Sequence, residues 1–320
     1  MKAIQVQQFG GPEVLKLVSL PTLAPTENQI LVKVKAVGIN PVDTYVRSGT
    51  YAVKPELPYT PGFDAAGTIE ALGKEIKNFK SGQRVYLSGA LSGTYAEFAL
   101  CDASQVHALP ESLTFAQGAS LGVPYATAAY ALLNRAQIVQ GETVLIHGAS
   151  GAVGNAAIQM AKAHGCRVIA TAGTERGVEL CKKLGADEVE NHAEPGYWEK
   201  VLAATQNQGP NVIVEMLANK NLSHDMEFAA KKGRIVVVGN RGTVEINPRF
   251  IMGKNASVLG MSLLTISAEE KKEVHASLAS GLQNKTLVPI IGQEFPLECA
   301  ADAHVAVMAS GAYGKIVLIC

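Results

Sequence analysis

Thr143-Val144-Leu145-Ile146-His147-Gly148-Ala149-Ser150-Gly151-Ala152-Val153-Gly154 is the stretch on which the reading of this chain turns. It opens as an apolar run of strand type. The glycines then fall at G-x-x-G-x-x-G, and Val153, Ala156, Ala157, Met160 and Ala161 continue at helical spacing. At a strand-to-helix junction, glycines let the chain turn sharply, let backbone approach a pyrophosphate with no Cβ in the way, and let the helix pack closely on its strand. The helix N-terminus meanwhile offers N–H groups to an anion. Glycine spacing alone also fits an ordinary glycine-rich loop, but between an apolar run and a helical pattern it points to a dinucleotide site.

Working outward, strand patterns at 167–170, 188–190, 211–216, 234–238 and 257–259 follow the turn, with a helical pattern at 175–184. Such alternation predicts an α/β domain with a doubly wound parallel sheet of Rossmann type. The first third has a different texture. Strand patterns at 3–7, 13–19, 29–37, 67–71, 84–87 and 95–100 are separated by Gly and Pro punctuation such as Gly10-Gly11-Pro12 and Pro61-Gly62. Alanine-rich helix is expected at 115–121 and 126–134, and the tail adds helices at 268–280 and 298–308 and a strand at 315–319.

The chain has 320 residues, enough for a sizeable core and two domains. Lys plus Arg and Asp plus Glu number 28 each, so no global field draws the chain to nucleic acid or to an anionic membrane. Cys101, Cys166, Cys181, Cys299 and Cys320 are scattered, without the paired spacing of a disulfide framework or a cysteine-rich zinc lobe. The N-terminus lacks a signal-type apolar region and no apolar run reaches membrane-spanning length. A cytoplasmic protein without a membrane partner is expected.

The strand after the central helix bears on the choice of cofactor. In NAD-binding versions of this fold, an acidic residue about 20 residues past the glycines grips the ribose 2′-hydroxyl. Here the strand ends in Ala170-Thr171-Ala172-Gly173-Thr174, with Glu175 only afterwards. Small and hydroxylated residues leave room for a 2′-phosphate, and Arg176 is a candidate counter-charge. The alternative is that Arg176 begins a solvent-facing helix that Glu175 caps. NADPH is favoured over NADH.

Further runs carry a resemblance. Gly10-Gly11-Pro12-Glu13-Val14-Leu15, Gly38-Ile39-Asn40-Pro41-Val42-Asp43-Thr44-Tyr45 and Pro61-Gly62-Phe63-Asp64-Ala65-Ala66-Gly67 resemble the quinone oxidoreductase branch of the medium-chain dehydrogenase/reductase superfamily. Glu215-Met216-Leu217-Ala218-Asn219 and Arg241-Gly242-Thr243-Val244-Glu245-Ile246-Asn247-Pro248-Arg249 are similar to its zeta-crystallin-like NADPH:quinone oxidoreductase subgroup. One departure is Ala152, where that family usually has a second glycine after Gly151. The resemblance implies a β-rich GroES-like catalytic domain from residues 1–117 and 261–320, a Rossmann domain from residues 118–260, and a cofactor meeting its substrate between them. It implies phosphate cradling by Ser150, Gly151, Ala152 and Val153, and adenine-ribose or 2′-phosphate contact at Gly173 and His192. Further cofactor contacts are implied at Tyr45, Asn221, Val238, Gly239, Asn240, Arg241, Met261, Ser262 and Leu263. By itself His192 reads as a loop histidine, and Asn221 as a cap for a helix starting at Leu222.

Many members of the superfamily are zinc alcohol dehydrogenases, whose catalytic metal takes Cys and His ligands from separated segments. The corresponding places here hold Asn40, Phe63 and a residue near Val123, and no metal is expected. His147 reads as a hydrogen-bonded core residue rather than a ligand. Without a Lewis acid, an electron-poor acceptor is favoured, because a quinone or enone already delocalises the incoming charge. The protein then has to align nicotinamide with acceptor and donate a hydrogen bond to the developing oxyanion. Asn40, Tyr45 and Tyr51 are the candidates for that work. Asp43 is either an orienting group or a turn-stabilising side chain after Pro41. Reduction of activated double bonds in enals and enones competes with quinone reduction, and a structural crystallin-like or AU-rich RNA-binding role is a third reading. Relatives imply a homo-oligomer, dimer or tetramer, with the strand at 257–259 either joining subunits or lying inside one.

Overall fold

The computed structural model describes residues 1–52 and 54–320. Two compact units make up the chain: Met1–Val123, Val288–Ala309 and Gly314–Cys320 form the first, Pro124–Leu287 and Ser310–Tyr313 the second.

The first unit opens with an antiparallel pair, β1 (Lys2–Val6) and β2 (Leu15–Ser19). Its sheet is organised on β3 (Gln29–Ile39), whose Ile30, Val32, Val34, Val37 and Ile39 enter the core. Both edges of β3 are occupied. After helix α1 (Pro41–Arg47), β4 (Asp64–Leu72) pairs along one edge, followed outward by β5 (Arg84–Ser88). On the other edge β6 (Phe98–Asp102) takes Gln29 to Lys33, leaving Ala36 to Ile39 for the last strand of the chain. The short β7 (Val106–Ala108) extends β5, and α2 (Phe115–Gly118) follows. Helix α1 was not expected from the apolar pattern. Local chemistry explains it: Pro41 stands at the first helical position, and Asn40 and Asp43 form a capping box.

The second unit begins in the alanine-rich region, where α3 (Ala126–Ala129) is flanked by π turns at Leu121–Tyr125 and Tyr130–Arg135. Pro124 lies inside the first of these, where it can give no N–H to a helical ladder. Strands and helices then alternate: β8 (Thr143–Ile146), α4 (Ala152–Ala163), β9 (Arg167–Ala172), α5 (Glu175–Lys183), β10 (Glu188–Asn191), α6 (Tyr197–Ala204), β11 (Val212–Glu215), α7 (Ala218–Phe228), β12 (Arg234–Val237), α8 (Arg249–Met252), β13 (Ser257–Gly260) and α9 (Ala268–Gln283). The six strands are parallel, in the order β10-β9-β8-β11-β12-β13. All of β11 is buried, as expected where helices cover both faces, and such strands read as continuous apolar runs.

Two local expectations change. Thr174, not Glu175, caps α5, its Oγ1 accepting from Gly177 N at 3.1 Å. Helix α7 starts at Ala218, so Asn221 lies inside it and caps nothing.

Residues 261–287 belong with the second unit, where Val274, Leu278 and Leu282 of α9 are buried and Tyr130 donates to Glu270 Oε1 at 2.9 Å. The chain then returns to the first unit as β14 (Ile291–Pro296), α10 (Ala300–Met308) and β15 (Lys315–Ile319), the strand that completes β3. Among the described residues no helix is long and apolar enough to cross a membrane.

Candidate active site

Every second-unit segment that the resemblance assigns to the cofactor leaves the carboxyl end of a strand. Residues 150–153 follow β8, Gly173 follows β9 and His192 follows β10; Asn221 comes after β11, residues 238–241 after β12, and residues 261–263 after β13. Strand order reverses between β8 and β11, which makes their carboxyl ends the topological switch point where open α/β sheets take ligands.

The three glycines after β8 differ in what the fold asks of them: it requires two of them and leaves the third free. Gly148 has φ +55°, a left-handed conformation that turns the chain off the strand. A Cβ on Gly154 would stand 2.4 Å from Ala149 Cα, so close packing of α4 on the turn demands its absence. Gly151 is different: its φ is −78°, and a Cβ there would meet only Gly148 O at 3.4 Å and Ala312 Cβ at 3.6 Å. Nothing in the protein's own packing requires glycine there. It is the N-cap of a twelve-residue helix whose first N–H groups have no intrahelical acceptor. The space is therefore suited to a phosphate resting on backbone. Ser150 Oγ donates to Ala312 O at 2.7 Å, and the methyl of Ala152 sits half-buried at the first helical position.

At the end of β9 the His192 ring lies against Gly173, where a Cβ would come within 2.7 Å of Nε2. His192 N donates to Ala172 O at 3.0 Å, and burial, then the charge of His147, lowers the imidazole pKa. No carboxylate stands at this strand end. Arg176 is exposed in the first turn of α5, its guanidinium 3.7 Å above the Tyr313 ring. Beyond β12, Val238 N and Gly239 N both donate to Glu215 O, at 2.8 and 3.2 Å. Asn240 Nδ2 bonds Gly242 O at 2.6 Å, and Arg241 N bonds Asn219 Oδ1 at 3.0 Å. Met261, Ser262 and Leu263 are half-buried.

Beneath the switch point lies a polar cluster that sequence reasoning found only in part. His147 is a core residue, as expected, with Nε2 2.9 Å from Asp225 Oδ1 and 3.7 Å from Glu215 Oε2. Its Nδ1 is 3.3 Å from Thr171 Oγ1, which accepts from Gly148 N at 3.4 Å. Glu215 Oε1 accepts from Leu217 N and from Asn221 Nδ2, the latter at 3.2 Å. Burial raises both carboxyl pKa values and lowers that of the imidazole. The cluster ties the glycine turn to α7. Beyond His147, its sequence signal is a charged residue, Glu215, closing an apolar run.

In the first unit the four acceptor-side candidates separate into two pairs. Asn40 is 3% exposed; its Nδ2 donates to Asp64 Oδ2 at 2.9 Å and its Oδ1 accepts from the Lys315 ammonium. Asp43 accepts from Asn40 N at 2.8 Å. Both side chains are thus engaged in the fold. Tyr45 and Tyr51 are half-buried, and Tyr45 O accepts from Thr50 N and Tyr51 N at 3.1 and 3.2 Å. Lys315 also reaches Asp64 Oδ2 at 3.1 Å, while Asp64 Oδ1 accepts from Val123 N at 2.7 Å.

A six-stranded parallel sheet with a glycine-rich first turn, joined in one chain to a GroES-like β-rich unit, defines a dehydrogenase/reductase of the medium-chain type. Residues 26–111 match the alcohol dehydrogenase GroES-like domain family, and residues 152–280 match the zinc-binding dehydrogenase family. The quinone oxidoreductase of Rattus norvegicus is 50% identical over 321 residues, spanning 100% of this chain and 98% of that protein. The crystal structure of Escherichia coli quinone oxidoreductase complexed with NADPH superposes with a TM-score of 0.88 at 30% identity, over 100% of both chains. A crystal structure described as an NAD-dependent alcohol dehydrogenase gives a TM-score of 0.93 at 28% identity, again over 100% of both chains. The chain belongs to the quinone oxidoreductase family.

One matching family has zinc in its name, but the positions to which the resemblance carries the catalytic-zinc ligands do not offer its donor set; the His/carboxylate group that comes close enough together among the described residues is the buried His147, Glu215 and Asp225, elsewhere in the chain. At the places the resemblance implies stand the Asn40 amide, already bonded to Lys315 and Asp64, the aromatic Phe63, and a residue near Val123, whose own backbone N–H donates to Asp64. A buried ammonium on Asn40 and Asp64 supplies the positive charge these oxygens would otherwise seek.

Proposed function

We propose that this protein reduces quinones with NADPH. The observation that carries the reading is the carboxyl edge of the second unit's sheet: a Cβ-free space over Gly151 at the start of α4, and a β9 end without a carboxylate. The α4 N–H groups would hold the pyrophosphate. His192 and Arg176 would flank the 2′-phosphate, and Asn221 with residues 238–241 and 261–263 would orient the remainder of the cofactor. When bound, NADPH would supply the reducing electrons to the quinone, either as a hydride with a proton taken up from water or as single electrons. Tyr45 would donate its hydroxyl to the acceptor oxygen or the cofactor, and Tyr51 would provide an aromatic wall. Asn40 and Asp43, with their side chains in the buried network, would shape α1 rather than touch substrate.

Gly173→Asp tests the nucleotide preference directly. It places a carboxylate where the 2′-phosphate is expected and displaces His192, so NADPH affinity should fall at least about tenfold relative to NADH. An unchanged ratio in fluorescence titrations of the two nucleotides would refute this placement. Turnover of a small ortho-quinone against that of an alkenal decides between quinone and activated double bond. The reaction is expected to need no resident metal, so exhaustive chelation should leave turnover intact; loss of activity with release of one zinc per chain would overturn that. A cytoplasmic homo-oligomer completes the reading. It is supported by five unpaired cysteines and by β13 lying at the sheet edge with Val258 exposed.

A further inference from the structure

Helix α1 is held by a ring of side chains from three distant parts of the first unit. Asp43 and Arg47 stand one turn apart, at i and i+4, on one face of the helix. Tyr95 OH is 3.1 Å from Asp43 Oδ2 and 2.9 Å from His304 Nε2, and His304 Nδ1 is 3.1 Å from Arg47 Nη1. The four residues are between 0 and 8% exposed. Arg47 Nε also donates to Gly10 O at 3.2 Å.

The direction of each bond follows from donor chemistry. A guanidinium only donates, so His304 Nδ1 accepts and the neutral ring carries its proton on Nε2. That N–H donates to the Tyr95 oxygen, and the Tyr95 hydroxyl donates to Asp43 Oδ2. Burial, and then the neighbouring Arg47 charge, hold the imidazole pKa down to about 3, which keeps the ring neutral. The two ends of α1 are thereby hooked onto one Tyr–His pair whose rings meet edge to face at 5.6 Å.

Tyr45 lies midway between the hooks, about 200° around the helix from each at roughly 100° per residue. A helix of seven residues has little ladder of its own to resist rolling. We propose that Asp43, Tyr95, His304 and Arg47 form a closed clamp that fixes the roll of α1 and so aims Tyr45 at its reaction partner. His304 and Tyr95 are then positioning residues that act through Tyr45. The proposal rests on the role given to Tyr45 above.

A double-mutant cycle tests it, with NADPH affinity, kcat and KM for a quinone as readouts. Tyr95→Phe removes one hydroxyl and keeps the ring; His304→Gln is the second variant, should either one fold poorly. Each is expected to lower kcat/KM about tenfold in the parent and by less than about twofold when Tyr45 is already Phe. Hydrogen exchange at the amides of residues 44–48 should speed up about tenfold in Tyr95→Phe whatever Tyr45 does. Equal losses in both backgrounds, or unchanged exchange in α1, would overturn the clamp. Parent-like kinetics of Tyr45→Phe combined with faster α1 exchange would instead sink the role of Tyr45, and with it the catalytic purpose of the clamp.

Discussion

Lys315→Met is expected to cost the protein about 3–5 kcal/mol of unfolding free energy, the largest stability loss foreseen for a single side chain of the first unit. The ammonium and the Asp64 carboxylate are 2 and 0% exposed, and the lysine also bonds Asn40 Oδ1. Methionine fills the space of the stem but leaves a buried carboxylate with only two N–H donors, Asn40 Nδ2 and Val123 N. The Asn40 oxygen loses its donor as well. Urea unfolding followed by far-UV circular dichroism measures the loss. Asp64→Asn in the Lys315→Met background should restore part of it, because the unpaired charge is then gone. A loss below about 1 kcal/mol would mean that Asp64 tolerates the loss of its partner by taking up a proton, the direction in which burial already moves its pKa.

Gly151→Val should do the reverse, leaving the fold alone and removing the ligand. Its backbone is extended and the nearest atoms to a Cβ lie at 3.4 and 3.6 Å, so stability should change by less than about 1 kcal/mol. The branched side chain would fill the space in which a pyrophosphate has to rest on the α4 N–H groups. NADPH affinity is expected to fall about 100-fold or more, read by quenching or enhancement of cofactor fluorescence. Gly154→Ala is the contrast. Its Cβ would press on the Ala149 backbone at 2.4 Å, so it should lower stability by about 1–3 kcal/mol as well as weaken binding. If Gly151→Val binds NADPH like the parent, the dinucleotide does not cross this turn.

Several features were legible in the letters because their causes are local. The strand-turn-helix at 143–163 shows itself through apolar period and glycine spacing, and the parallel sheet through apolar runs at 167–170, 211–216 and 234–238. Even the three glycine roles belong to one short turn, although it took geometry to separate them. Helix α1 had a signal too, Pro41 with the Asn40–Asp43 box, but at seven residues it carries too little apolar period to stand out. The roles of Asn40 and Asp43 were harder, since an amide and a carboxylate beside an expected cleft look the same whether they face substrate or core.

What only the tertiary structure decided is the partners of the buried polar groups. Lys315 and Asp64 are 251 residues apart, Arg47 and His304 are 257, and Tyr95 and His304 are 209. In sequence each is a single polar residue in or beside an apolar segment, and nothing local names its mate. A buried charge or hydroxyl takes whichever complementary group the assembled fold brings within about 3 Å, because leaving it unpaired costs more than any local preference can supply. The sequence by itself therefore determined the sheet, the nucleotide turn and the family. Folding selected the pairings that hold α1, engaging the Asn40 and Asp43 side chains within the first unit.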